Sequence, residues 1–138
     1  MQARVVPQFK LDTMWSALDF TGPALLKVDV QGGELEVLEG AEEILQNFEV
    51  IVMEVGMTEG YIGQPVFHEY IAYMAARGFV IYDIIDANYS GTELLFQIDV
   101  VFVKKDGQFR QDQRALSDYS RVAETVVSYK GLRRDDNL

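Results

Sequence analysis

No cysteine occurs in the chain, which excludes disulfides, thiolate metal ligands and a cysteine nucleophile. Redox chemistry therefore says nothing about compartment, and a cytoplasmic location is the default expectation. Neither a G-x-G-x-x-G fingerprint nor a Walker P-loop is present, and no serine sits in a nucleophile elbow. Long apolar runs are missing as well. Pro7, Lys10, Asp12 and Asp19 interrupt the first twenty residues, so no signal-peptide core or membrane span is expected and the chain should be soluble. Basic residues are scarce in the body: residues 1–103 hold 4 Lys and Arg against 16 Asp and Glu, while residues 104–138 hold 8 against 6. An acidic body disfavours nucleic acid or an anionic membrane as a partner, because phosphate binding needs clustered cations.

What remains is ample for one core: 138 residues, 49% hydrophobic and 12% aromatic. The N-terminal stretch ARVVPQF is a short β-type run weakened by Pro7. Asp12 is expected to cap a small helix that turns Met14, Trp15 and Leu18 inward, with Thr21, Gly22 and Pro23 ending it. Residues 25–30 form an almost continuous apolar run broken by Lys27 and Asp29, which suits a parallel strand covered on both faces. Gly32 and Gly33 make the turn. From Glu34 the period becomes helical, with Leu35, Leu38, Ala41 and Leu45 on one stripe and acidic residues on a solvated face.

This crossover helix leads to a second buried run, Val50, Ile51, Val52 and Met53, that ends at Glu54, Val55 and Gly56. A glycine-rich loop follows, and Pro65 is expected at the first position of a second helix whose stripe is Val66, Phe67, Tyr70, Ile71 and Met74. Gly78 should terminate it. Residues 79–85 and 94–103 read as two further strands, separated by too few residues for a parallel crossover and therefore antiparallel. The expected class is α/β, with order β-α-β-α-β-β and the last strand antiparallel. Beyond Lys105 the chain turns polar, and Tyr119, Val122, Ala123 and Val126 keep the spacing of one further helix.

Ligands of open α/β sheets sit beyond the carboxyl ends of the parallel strands. Two acids occupy such ends: Asp29, followed by Gln31, Gly32, Gly33 and Glu34, and Glu54, followed by Val55 and Gly56. Their carboxylates can accept hydrogen bonds from a ligand, bind a hard cation or act as a general base; equally, each can cap the turn that follows it. His68, one turn into the second helix, either faces the same cleft or is structural. Tyr61 and the loop around it form either a substrate wall or a plain connector.

The run LLKVDVQGGELEVLEGA resembles the central motif of the FkbM-type S-adenosylmethionine-dependent methyltransferases, whose pattern reads roughly LKIDVEGAELEVLKGA. The likeness extends through VIVMEV to the terminal strand VVFVKK, about residues 5 to 105. Residues 1–105 are thus read as the C-terminal portion of such a domain and residues 106–138 as a polar tail. The resemblance implies a partial Rossmann-like sheet of order 4-5-7-6, and S-adenosylmethionine as cofactor. It implies Asp29, Gln31, Gly32 and Glu54 as cofactor-binding residues, Asp29 or His68 as proton acceptor, and a small-molecule or sugar hydroxyl as methyl acceptor; no residue is assigned as a metal ligand. Gln31 stands where the family commonly has Glu, and Gly33 where it has Ala.

The family's glycine-rich cofactor half has no counterpart here, and the strand at residues 25–30 is left with an unpaired apolar edge. Its expected cover is a second copy in a homodimer, a missing N-terminal half, or another segment of this chain. The other functional reading is a non-catalytic truncated α/β module that binds a ligand or a protein as a homo-oligomer.

Overall fold

The computed structural model describes residues 4–91 and 93–110. The expected tail helix through Tyr119 and Val126 lies outside the described residues. A mixed four-stranded sheet organises the rest, in the sequence α1 (Leu11–Trp15), β1 (Ala24–Val28), α2 (Glu34–Glu39), β2 (Phe48–Gly56), α3 (Phe67–Ala76), β3 (Phe79–Tyr89) and β4 (Leu95–Lys104). Single 3-10 turns lie at Leu45–Asn47 and Gln108–Arg110. The spatial order is β1-β2-β4-β3. β1 runs parallel to β2, with Leu26 beside Ile51 and Val28 beside Met53. β4 is antiparallel to both β2 and β3, as the short connection at residues 90–94 requires.

One face of the sheet carries the core. Val28, Ile51, Met53, Val55, Val100 and Phe102 pack with Leu38 and Ala41 of the α2 crossover and with Tyr70 and Met74 of α3, all nearly or wholly shielded. Burying each large apolar side chain contributes roughly 1.5–3 kcal/mol. This face therefore carries most of the stabilisation.

Coverage of β1 on both faces is not what the structure has. Ala24 and Val28 are buried, but Leu25 is 62% exposed and Lys27 projects from the same exposed side. Both helices of the β1–β2–β3 crossovers sit on the Ile51 and Met53 side, which leaves the other side of β1 open at Leu25 and Lys27. β1 thus keeps the inside-outside alternation of a half-buried strand.

Three local expectations also change. Asp12 does not cap α1, whose N-cap is Lys10. Instead its Oδ1 accepts from the backbone N–H of Glu43 and Ile44, at 3.1 and 3.2 Å, while its own N–H donates to the carbonyl of Gly40 at 2.9 Å. These bonds claim the backbone just past Glu39, which is why the crossover helix stops there and continues as turns. Met14 and Leu18 are exposed; Trp15 alone of the three turns inward, edge-on to Phe48 at 5.3 Å. Pro65 precedes α3, which starts after Val66; the Val66 N–H donates to Oε2 of Glu69 at 2.8 Å. Gly78, at φ +81°, ends it as anticipated.

Candidate strand-end site

Beyond Val28 the chain turns sharply, with Gln31 at φ 58° and Gly32 at φ 105°. Both lie in the left-handed region, which costs a non-glycine residue. A buried carboxylate holds this turn. Glu34, only 1% exposed, accepts the Val30 N–H at 3.2 Å and the Gly32 N–H at 3.1 Å. The Tyr70 hydroxyl of α3 completes the shell, donating to Oε2 of Glu34 at 2.9 Å. Burial first, and the Glu34 carboxylate second, hold the Tyr70 hydroxyl well above the usual phenol range, so it remains a donor. Glu34 is thus not part of the solvated acidic face. Its spacing to Leu38, Ala41 and Leu45 places it on the buried stripe, and that was the signal in the sequence.

With the turn fixed, Gln31 points its amide at two acids. Its Nε2 donates to Oδ1 of Asp29 at 3.3 Å and to Oε1 of Glu54 at 3.4 Å. Gln97 of β4 donates to the other Glu54 oxygen, and the Tyr61 hydroxyl donates to Oε1 of Gln31 at 3.2 Å. Lys27 lies between Asp29 and Asp99, 3.2 and 3.8 Å away. The carboxyl ends of β1 and β2 and the start of β4 therefore share one continuous polar network. Gln97 was not foreseen: it reaches the site only because β4 pairs with β2, Gln97 opposite Gly56, which local sequence does not reveal.

The two acids differ electrically. Hydrogen bonds from Lys27 and then Gln31 hold Asp29 below the ordinary carboxylate range. Glu54, 8% exposed, is pushed above it, mainly by burial and then by the charges of Asp29, Glu34 and Asp99. Glu54 is consequently the better proton acceptor, and Asp29 a fixed anion.

The loop after β2 closes over the turn. Gln64 accepts the N–H groups of Gly60 and Tyr61, both at 3.1 Å, through Oε1. Its side chain and the Tyr61 ring lie against Gly32, where an added Cβ would come within 3.2 Å of Tyr61 Cδ2. The Tyr61 ring therefore packs on the turn. His68 is exposed on α3, and no hydrogen bond or ion pair among the described residues ties it to the network. No group of three or more His, Asp or Glu residues suited to a metal ion occurs among the described residues. None of their helices is long and apolar enough to cross a membrane.

The model of the Methyltransferase FkbM domain family matches residues 1–81. The chain belongs to this family. Within the matched span of the FkbM domain fall Asp29, Gln31, Gly32, Glu54 and His68; β4, with Gln97 and Asp99, lies beyond it. The match ends inside β3, short of the terminal strand to which the sequence likeness was extended. No curated protein matches the chain. Among solved structures, the crystal structure of ALBA1 from Trypanosoma brucei aligns at 13% identity over 85% of this chain and 100% of that one, with a TM-score of 0.30. So low a score bears on neither the fold nor the function of the FkbM domain.

Proposed function

We propose that the chain is the strand-end portion of an S-adenosylmethionine-dependent methyltransferase, transferring a methyl group to a hydroxyl of a small molecule or sugar. One observation carries this reading: in a member of the FkbM family, the polar groups converge at the carboxyl ends of the parallel strands. Asp29, Gln31 and Glu54 meet there in a single hydrogen-bonded network. The order β1-β2-β4-β3, with β4 antiparallel, supports it further, since 4-5-7-6 is the order expected for one side of a Rossmann-like methyltransferase sheet.

The residues present suit the cofactor. S-adenosylmethionine supplies an electrophilic methyl group on a cationic sulfonium, and the network is rich in acids, its one lysine already paired with Asp29. Asp29, Gln31 and the Gly32 backbone would hold the cofactor, with Tyr61 as the wall that excludes water. Glu54, rather than Asp29 or His68, would take the proton of the acceptor hydroxyl on a carboxylate oxygen. Its desolvation makes it the more basic of the two acids, and Gln31 and Gln97 hold it in place. Asp29, kept ionised by Lys27, orients and does not shuttle protons.

Isothermal calorimetry with S-adenosylhomocysteine tests the proposal. Heat at micromolar ligand that disappears in Asp29→Ala supports it. Folded wild-type protein that gives no heat at high micromolar ligand refutes autonomous cofactor binding and leaves the non-catalytic, ligand- or protein-binding module. Light scattering then tells whether that module is a homo-oligomer.

A further inference from the structure

Asp29, Gln31 and Glu54 make the site, but none of them explains why Gln31 stands at φ 58° with its amide aimed at both acids. Its backbone neighbours do. The Val30 and Gly32 N–H groups, one on each side of Gln31, both donate to Glu34. The far side of that carboxylate meets the Tyr70 hydroxyl of α3, which also has a side-chain hydrogen bond with Gln64. A carboxylate with three donors and almost no solvent is expensive to bury unless all three are kept. Helix α3 and the turn are thereby held in one relative position.

We infer that Glu34 and Tyr70 are positioning residues for the strand-end site: their hydrogen bond clamps the 30–32 turn to α3, and the clamp sets the Gln31 amide between Asp29 and Glu54. What the clamp serves rests on the methyltransferase reading; the clamp itself does not. Neither residue touches a ligand, and both act through Gln31. Loss of the Tyr70 hydroxyl leaves Oε2 of Glu34 with the Gly32 N–H as its one remaining donor among the described residues, so the carboxylate loses its tie to α3 and the turn is released from that helix. A neutral amide at position 34 behaves differently. Its carbonyl oxygen still accepts from Val30 and Gly32, and its NH2 group donates to the Tyr70 oxygen, so the clamp survives the loss of charge.

Nuclear magnetic resonance of the full chain reads the clamp directly, through the Gln31 side-chain NH2 signals and the hydrogen exchange of the Gly32 amide. Tyr70→Phe and Glu34→Met are expected to shift the Gln31 signals and to speed Gly32 exchange about tenfold, the loss of roughly one hydrogen bond. Glu34→Gln should stay within about threefold of wild type. Met74→Ala is the control, since Met74 is fully buried on the same helix and destabilises without touching the turn. If Tyr70→Phe leaves Gln31 and Gly32 no more altered than Met74→Ala does, Tyr70 merely packs and the inference falls. If Tyr70→Phe does not fold, the contrast between Glu34→Gln and Glu34→Met decides alone, and equal exchange in those two overturns the clamp. Calorimetry with S-adenosylhomocysteine keeps the two readings apart. A wild-type protein that binds none but shows the clamp signature sustains this inference while the methyltransferase reading fails; binding that persists in a Tyr70→Phe protein with unmoved Gln31 does the reverse.

Discussion

Gly32→Ala tests the strand-end geometry at its tightest point. Gly32 sits at φ +105°, and an added Cβ would lie 3.2 Å from Cδ2 of Tyr61 and 3.5 Å from Cγ of Gln64. Two costs follow. The backbone term, for a side chain forced into a sparsely populated region, is about 1–3 kcal/mol. The contact term is smaller: the Tyr61 ring must give by a few tenths of an ångström, which strains its 3.2 Å hydrogen bond to Gln31, an exposed bond whose loss costs at most ~1 kcal/mol. Against these, the stiffer unfolded chain returns about 0.4–1 kcal/mol. The net expectation is a destabilisation of roughly 1–3 kcal/mol, read by urea unfolding followed by circular dichroism. A second background separates the terms. In Tyr61→Ser the ring is gone but φ is unchanged, so Gly32→Ala should keep the backbone term less the unfolded-chain return, about 1 kcal/mol. A cost that vanishes in the Tyr61→Ser background would show that the contact, and not the left-handed backbone, was the whole effect. A Gly32→Ala protein as stable as wild type would refute the geometry of the turn outright.

Other expectations are simpler to state. Asp12→Ala removes the acceptor shared by the Glu43 and Ile44 N–H groups and should cost about 1 kcal/mol, as loss of a cap does; thermal unfolding measures it. For Glu54 the sign follows from its raised value in the folded state. The folded chain keeps this proton to higher pH than the unfolded chain, so the group's contribution is fully present below the ordinary Glu range and declines as pH rises through the raised value. Unfolding free energies measured from about pH 4 to about pH 8 should therefore fall less steeply in Glu54→Gln than in wild type, and parallel curves would contradict the assignment. Asp29 works in the opposite sense: Lys27 depresses its value, so its contribution is present above the ordinary Asp range and is lost as pH drops through the depressed value.

Much of this architecture was legible from local patterns. Strand and helix periods placed every element of the sheet, and the short link before β4 gave its direction because a parallel return needs a longer crossover. The expected places of Asp29 and Glu54, just past β1 and near the end of β2, are where the structure has them. What escaped were relations between distant residues. Asp12 resembled a cap for its own helix, and only the docking of α1 beside Gly40 shows that it caps a turn about thirty residues on. Glu34 passed for a surface acid because acids crowd that helix, although its place on the Leu38 stripe marked it as buried. Gln97 offered no signal, since its arrival beside Glu54 depends on strand pairing. The half-exposed state of β1 was hidden by its composition: an apolar run looks the same whether one face is covered or two.

That strand has a kinetic meaning as well. β3 and β4 form a hairpin of neighbours in the chain, and β2 joins it along most of its length. β1 contributes five residues, and among the described residues β2 is the strand it pairs with. Contacts close in sequence form early, and short edge strands exchange their partners for water most readily. β1 is therefore the strand most ready to fray, and it is the one that delivers Asp29 and Gln31. A ligand bridging those residues to Glu54 would act as the missing fastener, ordering the sheet edge as it binds.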